Sequence, residues 1–278
     1  MAIPHGHDAQ HALRHHLRPQ AAFGAQMFDS VKRWLFSDHG GAGEVGLAAV
    51  ESWAKRAGFR FRKAPDQARF VIESTASGCD LRMEWGPSQR DYIAPYELRL
   101  RMDLNLPGGF QMLLLTLPLM EKLEGETFER FTQAAQTVLD MSTPEEMRWL
   151  AMFPKVDLSW DKALRAQFCV LGADPELTLA WIKGGLADQL LKASQDLLRQ
   201  SPPFLLMTMR GKLYLRMQLA EPAPAALTQC LELFDAALKS ATNLSTQMKP
   251  DPAEPPSALS TGWHSHSPID GTGDPAPR

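Results

Sequence analysis

Between residues 59 and 106 apolar and polar residues alternate with a period of two, and this restricts the fold more than any other feature of the chain. The stretches "FRFR" (59–62), "RFVIES" (69–74), "DLRMEW" (80–85) and "ELRLRMDLNL" (97–106) each divide their side chains between two opposite faces, as half-buried strands do. The links "KAPDQ", "TASGC" and "GPSQRD" are turn chemistry. Four strands with such short links predict an antiparallel meander with one wet face. On the last strand Leu98, Leu100, Met102, Leu104 and Leu106 share the dry face, and Arg99, Arg101, Asp103 and Asn105 the wet one.

Much of that last strand recurs. "KLYLRMQLAEP" (212–222) repeats "ELRLRMDLNLP" (97–107) with identical Leu, Leu, Arg, Met, Leu and Pro at Leu213, Leu215, Arg216, Met217, Leu219 and Pro222. Internal duplication and convergence on one amphipathic strand both account for the repeat. In either case Arg101 and Arg216 are expected on a wet face, and Leu100 and Leu215 in the core.

Helical periodicity fills most of the rest. Helices are predicted over 27–37, over 44–57 (ended by Gly58), and over 110–123, 126–140 and 144–152, the last three covering the apolar face of the meander. Thr143-Pro144-Glu145-Glu146 reads as a capping box with proline first in the helix. Downstream come a strand at 166–172 and a long helix capped by Asp174 that Gly184-Gly185 bends or breaks. A hairpin at 204–219 turns near Arg210-Gly211, and a closing helix spans 224–241. The expected fold is α+β: an antiparallel β-meander with helices packed on one face (27–152), followed by a smaller βαββα unit (153–246).

The ends read differently. Residues 1–26 hold five of the eight histidines with no sustained apolar period, and 247–278 are rich in Pro, Ser, Gly and Asp; both are expected to be disordered. His7, His11 and His15 have the spacing of one helix face, but nothing nearby would fix a metal there. "MFDSVKRWLF" from Met27 reads like a true start, which would leave the histidine-rich leader without a role.

A formal charge of −3 gives no global reason to bind nucleic acid or an anionic membrane. Cys79, Cys169 and Cys230 are scattered without pairing, which suits a reducing compartment. The most hydrophobic run, 108–120, is too short to span a bilayer and is interrupted by Pro118. No secretory signal pattern is evident, so the expectation is a cytoplasmic protein without a transmembrane segment, a cofactor or a nucleic-acid partner.

Chemistry-bearing patterns are few. Arg60, Arg62, Arg69, Arg82, Arg99 and Arg101 fall largely on the wet face of the meander, with Glu73, Glu84 and Asp103 among them. Arginines on a sheet can read phosphates or carboxylates. The interspersed acids point instead to cross-strand ion pairs, and no exposed aromatics alternate with the arginines to stack bases. Arg60, Arg62, Arg82, Arg99 and Arg101 are therefore a candidate anion-binding face. Asp157 and Asp161, four apart, read as a solvated helix surface. No GxSxG or SxxK motif occurs, and His39 is the sole imidazole between the two tails, which argues against a histidine-dependent triad. Most of the thirteen methionines read as core filling.

Residues 168–241 carry "FCVLGADPE", a leucine-rich helix, "FLLMTMRGKLYLRM" and a closing helix. In that order they resemble the soluble domain of an uncharacterised bacterial protein family, several members of which are membrane-tethered. The resemblance covers about a quarter of the chain and implies a fold without implying an activity or catalytic residues. The function expected from the sequence is a non-catalytic binding or interaction module, its partner another protein. The alternatives are an enzyme acting on an anionic small substrate through the arginine face, and a peripheral membrane protein using 110–120.

Overall fold

The structure is a computed structural model that describes residues 46–63, 69–74, 80–133 and 143–248. The leader, the helix expected at 27–37, the start at Met27, Cys79, the tail from 249 and every histidine lie outside these residues. The described residues up to 246 belong to one compact unit.

In chain order the elements are α1 (Leu47–Arg56), β1 (Phe59–Lys63), β2 (Phe70–Ser74), β3 (Arg82–Pro87), β4 (Tyr96–Asp103), β5 (Met112–Thr116), α2 (Leu117–Gln133) and α3 (Glu145–Met152). Then follow α4 (Lys162–Arg165), β6 (Phe168–Gly172), α5 (Pro175–Ile182), α6 (Gly185–Gln195), β7 (Phe204–Met209), β8 (Lys212–Gln218) and α7 (Pro224–Gln247). All eight strands form one sheet in the order β1-β2-β3-β4-β8-β7-β5-β6, every neighbouring pair antiparallel. The α+β class and the meander β1–β4 are as the alternation predicts. The meander and the second segment join edge to edge, and the seam is the repeated strand lying against its own copy, β4 against β8.

One register row shows why the sheet holds. Phe61, Ile72, Met83, Leu100, Leu215, Leu206, Leu114 and Val170 lie opposite one another in turn across all eight strands. From Ile72 to Val170 they are buried in a core that also takes in α1, α5, α6 and α7. Aromatic side chains extend it: Trp85 stacks between Phe70 and Tyr96, with ring centroids 5.7 and 4.9 Å away, and donates its indole N–H to the Leu219 carbonyl at 2.8 Å.

Several expectations are corrected. Residues 112–116 are a strand, not part of a helix, and all five are buried. An unbroken apolar run carries no periodicity to separate a buried strand from a buried helix. One helix, α2, then spans the positions where two were expected. Both α2 and α3 lie on the opposite face from the main core: Leu119, Met120 and Leu123 of α2 and Met147 and Trp149 of α3 pack with Leu113, Leu115, Leu171, Leu205 and Met207. Half the sheet is thus covered on both sides. The capping box is absent, since α3 starts from Pro144 with no side-chain cap. Asp157 and Asp161 share no helix face: Asp157 accepts from the backbone and hydroxyl of Ser159, and Asp161 caps α4 by accepting from Ala163 N and Leu164 N.

The turn signals hold. Gly184 has φ 78° and separates α5 from α6, and Arg210 and Gly211, at φ 51° and 76°, make the two-residue hairpin turn. Among the described residues no helix is long and apolar enough to cross a membrane.

Leu100 and Leu215 face each other at the centre of the row, each almost wholly buried. Leu100→Ala and Leu215→Ala should each lower stability by about 2–5 kcal/mol, and the double variant should lose less than the sum because both open one shared cavity. Urea melts of the three variants give the comparison, and full additivity would mean that the two leucines do not pack together.

Candidate functional site

Turning the β1–β4–β8 half of the sheet over exposes the other set of side chains, with no described helix upon it. Two register rows run across it. The first places Arg60, Glu73, Arg82, Arg101 and Tyr214 opposite one another; the second places Arg62, Val71, Glu84, Arg99 and Arg216. Beyond β8 the same rows become apolar, through Met207, Leu113 and Leu171 and through Leu205, Leu115 and Cys169, where α2 and α3 cover them.

These rows set arginine directly against arginine, Arg82 against Arg101 and Arg99 against Arg216. Like charges at that separation repel. The carboxylates resolve this by bridging diagonally. Glu73 accepts from Arg62 Nη2 at 2.5 Å and from Arg82 Nη1 at 2.7 Å. Glu84 accepts from Arg82 Nε and, at 2.8 Å, from Arg99 Nη2. Glu97 accepts from Arg99 Nη1 at 3.4 Å, from Arg216 Nη1 at 2.6 Å and from the backbone N–H of Gln89 at 3.1 Å. The result is one alternating ladder, Arg62–Glu73–Arg82–Glu84–Arg99–Glu97–Arg216, crossing five strands. Arginine suits it because its fork of N–H groups can serve two carboxylates at once.

The five arginines expected as an anion face are therefore brought onto one surface but do different things. Arg62, Arg82 and Arg99 are rungs of the ladder. Arg60 and Arg101 are exposed and have no carboxylate partner among the described residues. Arg69 lies near Glu84 at 3.9 Å, and Asp103 pairs with Lys212 at 2.6 Å. Two shallow depressions flank Arg82 and Arg101. The larger, about 440 Å³, is bordered by Glu73, Asp80, Asp103 and Lys212; the smaller, about 140 Å³, by Glu84, Arg99, Tyr214 and Arg216.

Three participants escape a reading of the meander alone. Arg216 comes from the far repeat, and its likeness to Arg101 was the available signal. Glu97 looks like an ordinary start to a strand, yet it is fully buried at the seam. Glu146, also buried, accepts from the Tyr92 hydroxyl and from Arg90 Nε at 2.7 Å, tying α3 to the loop before β4. Burial and the adjacent Glu146 charge raise the Tyr92 pKa, so the phenol stays protonated as donor.

Neither described cysteine offers a nucleophile, because burial pushes the Cys169 thiol up to about 11 and the Cys230 thiol up to about 12. Among the described residues no group of three His, Cys, Asp or Glu side chains could hold a metal ion.

The repeated arginines should differ in consequence. Arg101→Ala should change stability by less than about 1 kcal/mol, as an exposed group outside the ladder. Arg216→Ala and Glu97→Gln each break a buried pair and should cost about 3–5 kcal/mol, contrary to the sequence expectation that Arg216 resembles Arg101. Chemical denaturation of the three variants checks this ordering.

A pH dependence follows from Glu84. Burial opposes its charge, but the hydrogen bonds and charges of Arg82 and Arg99 outweigh burial and hold its pKa below the ordinary 4.5. A carboxylate depressed on folding contributes stability above its unfolded pKa and loses it as pH falls through the folded value. Glu84→Gln should therefore melt below the parent at pH 7, with the gap closing as pH falls below about 4.5. A gap in melting temperature that stays constant from pH 7 to 3 would remove Glu84 from the ladder's energetics.

No family model matches this sequence, and no curated protein does. Among solved structures, the chain is similar to that described as the crystal structure of the mycobacterial trehalose monomycolate transport factor A, TtfA. The likeness covers 74% of this chain and 97% of the other at 9% identity, with a TM-score of 0.39. A likeness at that level carries nothing about function.

Proposed function

We propose that the chain is a non-catalytic binding module that docks a partner protein on the open polar face of β1–β4 and β8. The ladder is the observation that supports this reading. Its guanidiniums are already held in place by fixed carboxylates, so a partner meets ordered donors and does not bear the entropy of arranging them.

An enzyme acting on an anionic substrate would need a group free to move a proton. Glu73, Glu84 and Glu97 each serve two arginines, and Asp103 serves Lys212. A membrane-surface role through 110–120 would need that segment exposed, and its strand 112–116 is buried.

The test is positional. A photo-crosslinking residue replaces Tyr214 on the open face or, as control, exposed Arg199 beyond α6, in the full chain in its own cells. The reading expects a discrete adduct from position 214 alone, with a partner whose purified form loses at least about tenfold in affinity to Arg99→Glu/Arg101→Glu. Equal labelling at both positions, or affinity indifferent to the double variant, would overturn it. Because the ladder neutralises most of the face, heparin and single-stranded DNA should bind no tighter than about 10⁻⁴–10⁻⁶ M at physiological salt.

A further inference from the structure

Within that face the charges do not quite cancel. The ladder holds four guanidiniums and three carboxylates, a surplus of one positive charge, and Arg101 beside it supplies a second. The smaller depression between β3, β4 and β8, about 140 Å³, is lined by Arg82, Arg99, Arg101 and Arg216 with Tyr214 and a single acid, Glu84, so the guanidiniums outnumber the carboxylates most at this place on the face.

The donors there are unsaturated. Arg82 gives Nε and Nη1 to carboxylates, Arg99 gives Nη1 and Nη2, and Arg216 gives Nη1. A guanidinium has five N–H groups, and among the described residues Nη2 of Arg82, Nε of Arg99, and Nε and Nη2 of Arg216 have no acceptor. Arg101 brings its whole fork and Tyr214 a hydroxyl. Backbone pairing fixes their spacing, because Arg101 stands opposite Tyr214 and beside the Arg99–Arg216 pair.

We infer that this depression is a recognition site for one phosphate monoester, presented as a phosphorylated side chain of the docked partner. The inference rests on the proposed binding role of the face and names the group it selects. A phosphate monoester carries about −1.5 to −2 at pH 7 and three acceptor oxygens, which suits four guanidiniums set with one acid, and several N–H donors, better than a carboxylate's single charge and two oxygens. A repeating polyanion gains less, since beside the depression Arg62 is held by Glu73 and Lys212 by Asp103, and only the distant Arg60 lacks a described carboxylate partner.

The experiment titrates the full chain with inorganic phosphate, followed by ³¹P NMR and calorimetry. One saturable site is expected. Arg101→Gln should weaken it by at least about tenfold, the loss of a charge-assisted contact. Tyr214→Phe should weaken it less, and Arg60→Gln, at a likewise exposed arginine three strands from Arg101, should leave it unchanged. Affinity for capped phosphoserine should rise between pH 5 and 7.5 as its second proton leaves near pH ~6, while affinity for sulfate should not.

Absence of saturable phosphate binding overturns the site, as does acetate binding as well as phosphate, or equal weakening by Arg60→Gln and Arg101→Gln. Capped phosphoserine competing at least as well as inorganic phosphate sustains the phosphorylated side chain. Phosphoethanolamine competing where capped phosphoserine fails overturns that source and places the monoester on a small molecule or lipid headgroup. If phosphate fails while position-specific crosslinking at 214 persists, the phosphate inference falls and the binding role stands; if both fail, both fall.

Discussion

The register of β4 against β8 governs both faces of the sheet. Leu100 lies opposite Leu215, its counterpart in the repeated sequence, so a local two-fold axis passes through that pair, and the equivalent pairs Leu98–Met217 and Met102–Leu213 lie on either side of it. A slip of one residue would carry the polar set of one strand, Arg99 and Arg101 or Tyr214 and Arg216, into the core and put its leucines outside, so burial of one face determines the arrangement of the other. The leucine row thus sets the spacing of the arginines, and the arginines do not set it for themselves.

That imposed spacing creates an electrostatic problem, and the carboxylates are placed to solve it. Arg82–Arg101 and Arg99–Arg216 would repel if left alone. Glu84 sits beside both Arg82 and Arg99, and Glu97 between Arg99 and Arg216. The cost of desolvating Glu97 at the seam is offset only because three donors meet it there. Such a network stabilises the fold less than it specifies it. Any other pairing of these strands would separate buried acids from their arginines.

The same logic shows what could be read in advance. Strands β1–β4 were legible because one face is dry and the other wet, which prints a period of two into the sequence. Helices α1 and α5 were legible from their ends: Gly58 after α1, and Asp174 capping α5 with Pro175 as its first residue. Strand β5 was not, because α2 and α3 cover one side and the main core the other, so Met112–Thr116 has no polar alternation to show. At the site, the meander's arginines and the carboxylates Glu73, Glu84 and Asp103 could be named from spacing. Arg216, Glu97 and Glu146 could not, because their importance depends on which distant strand or helix lies alongside. The repeat held the clue to the seam, but sequence similarity does not say that two similar strands are neighbours.

One consequence of sharing a sheet between two kinds of surface is that the site lies near a boundary. The rows that carry the arginines continue past β8 into Met207, Leu205, Leu113 and Leu115 beneath α2 and α3. At that edge Glu146 of α3 holds Arg90 and Tyr92, and Gln89, the residue just before Arg90, gives its backbone N–H to Glu97. The loop before β4 is therefore anchored to α3 on one side and to the ladder on the other. Displacing α3 would disturb Arg90 and Tyr92 first and, through Gln89, the carboxylate that orients Arg99 and Arg216. The apolar half of the sheet thus supports the open half through a short hydrogen-bonded path as well as through the continuous strands. The geometry of the arginines accordingly depends on helices that cover the other half of the sheet.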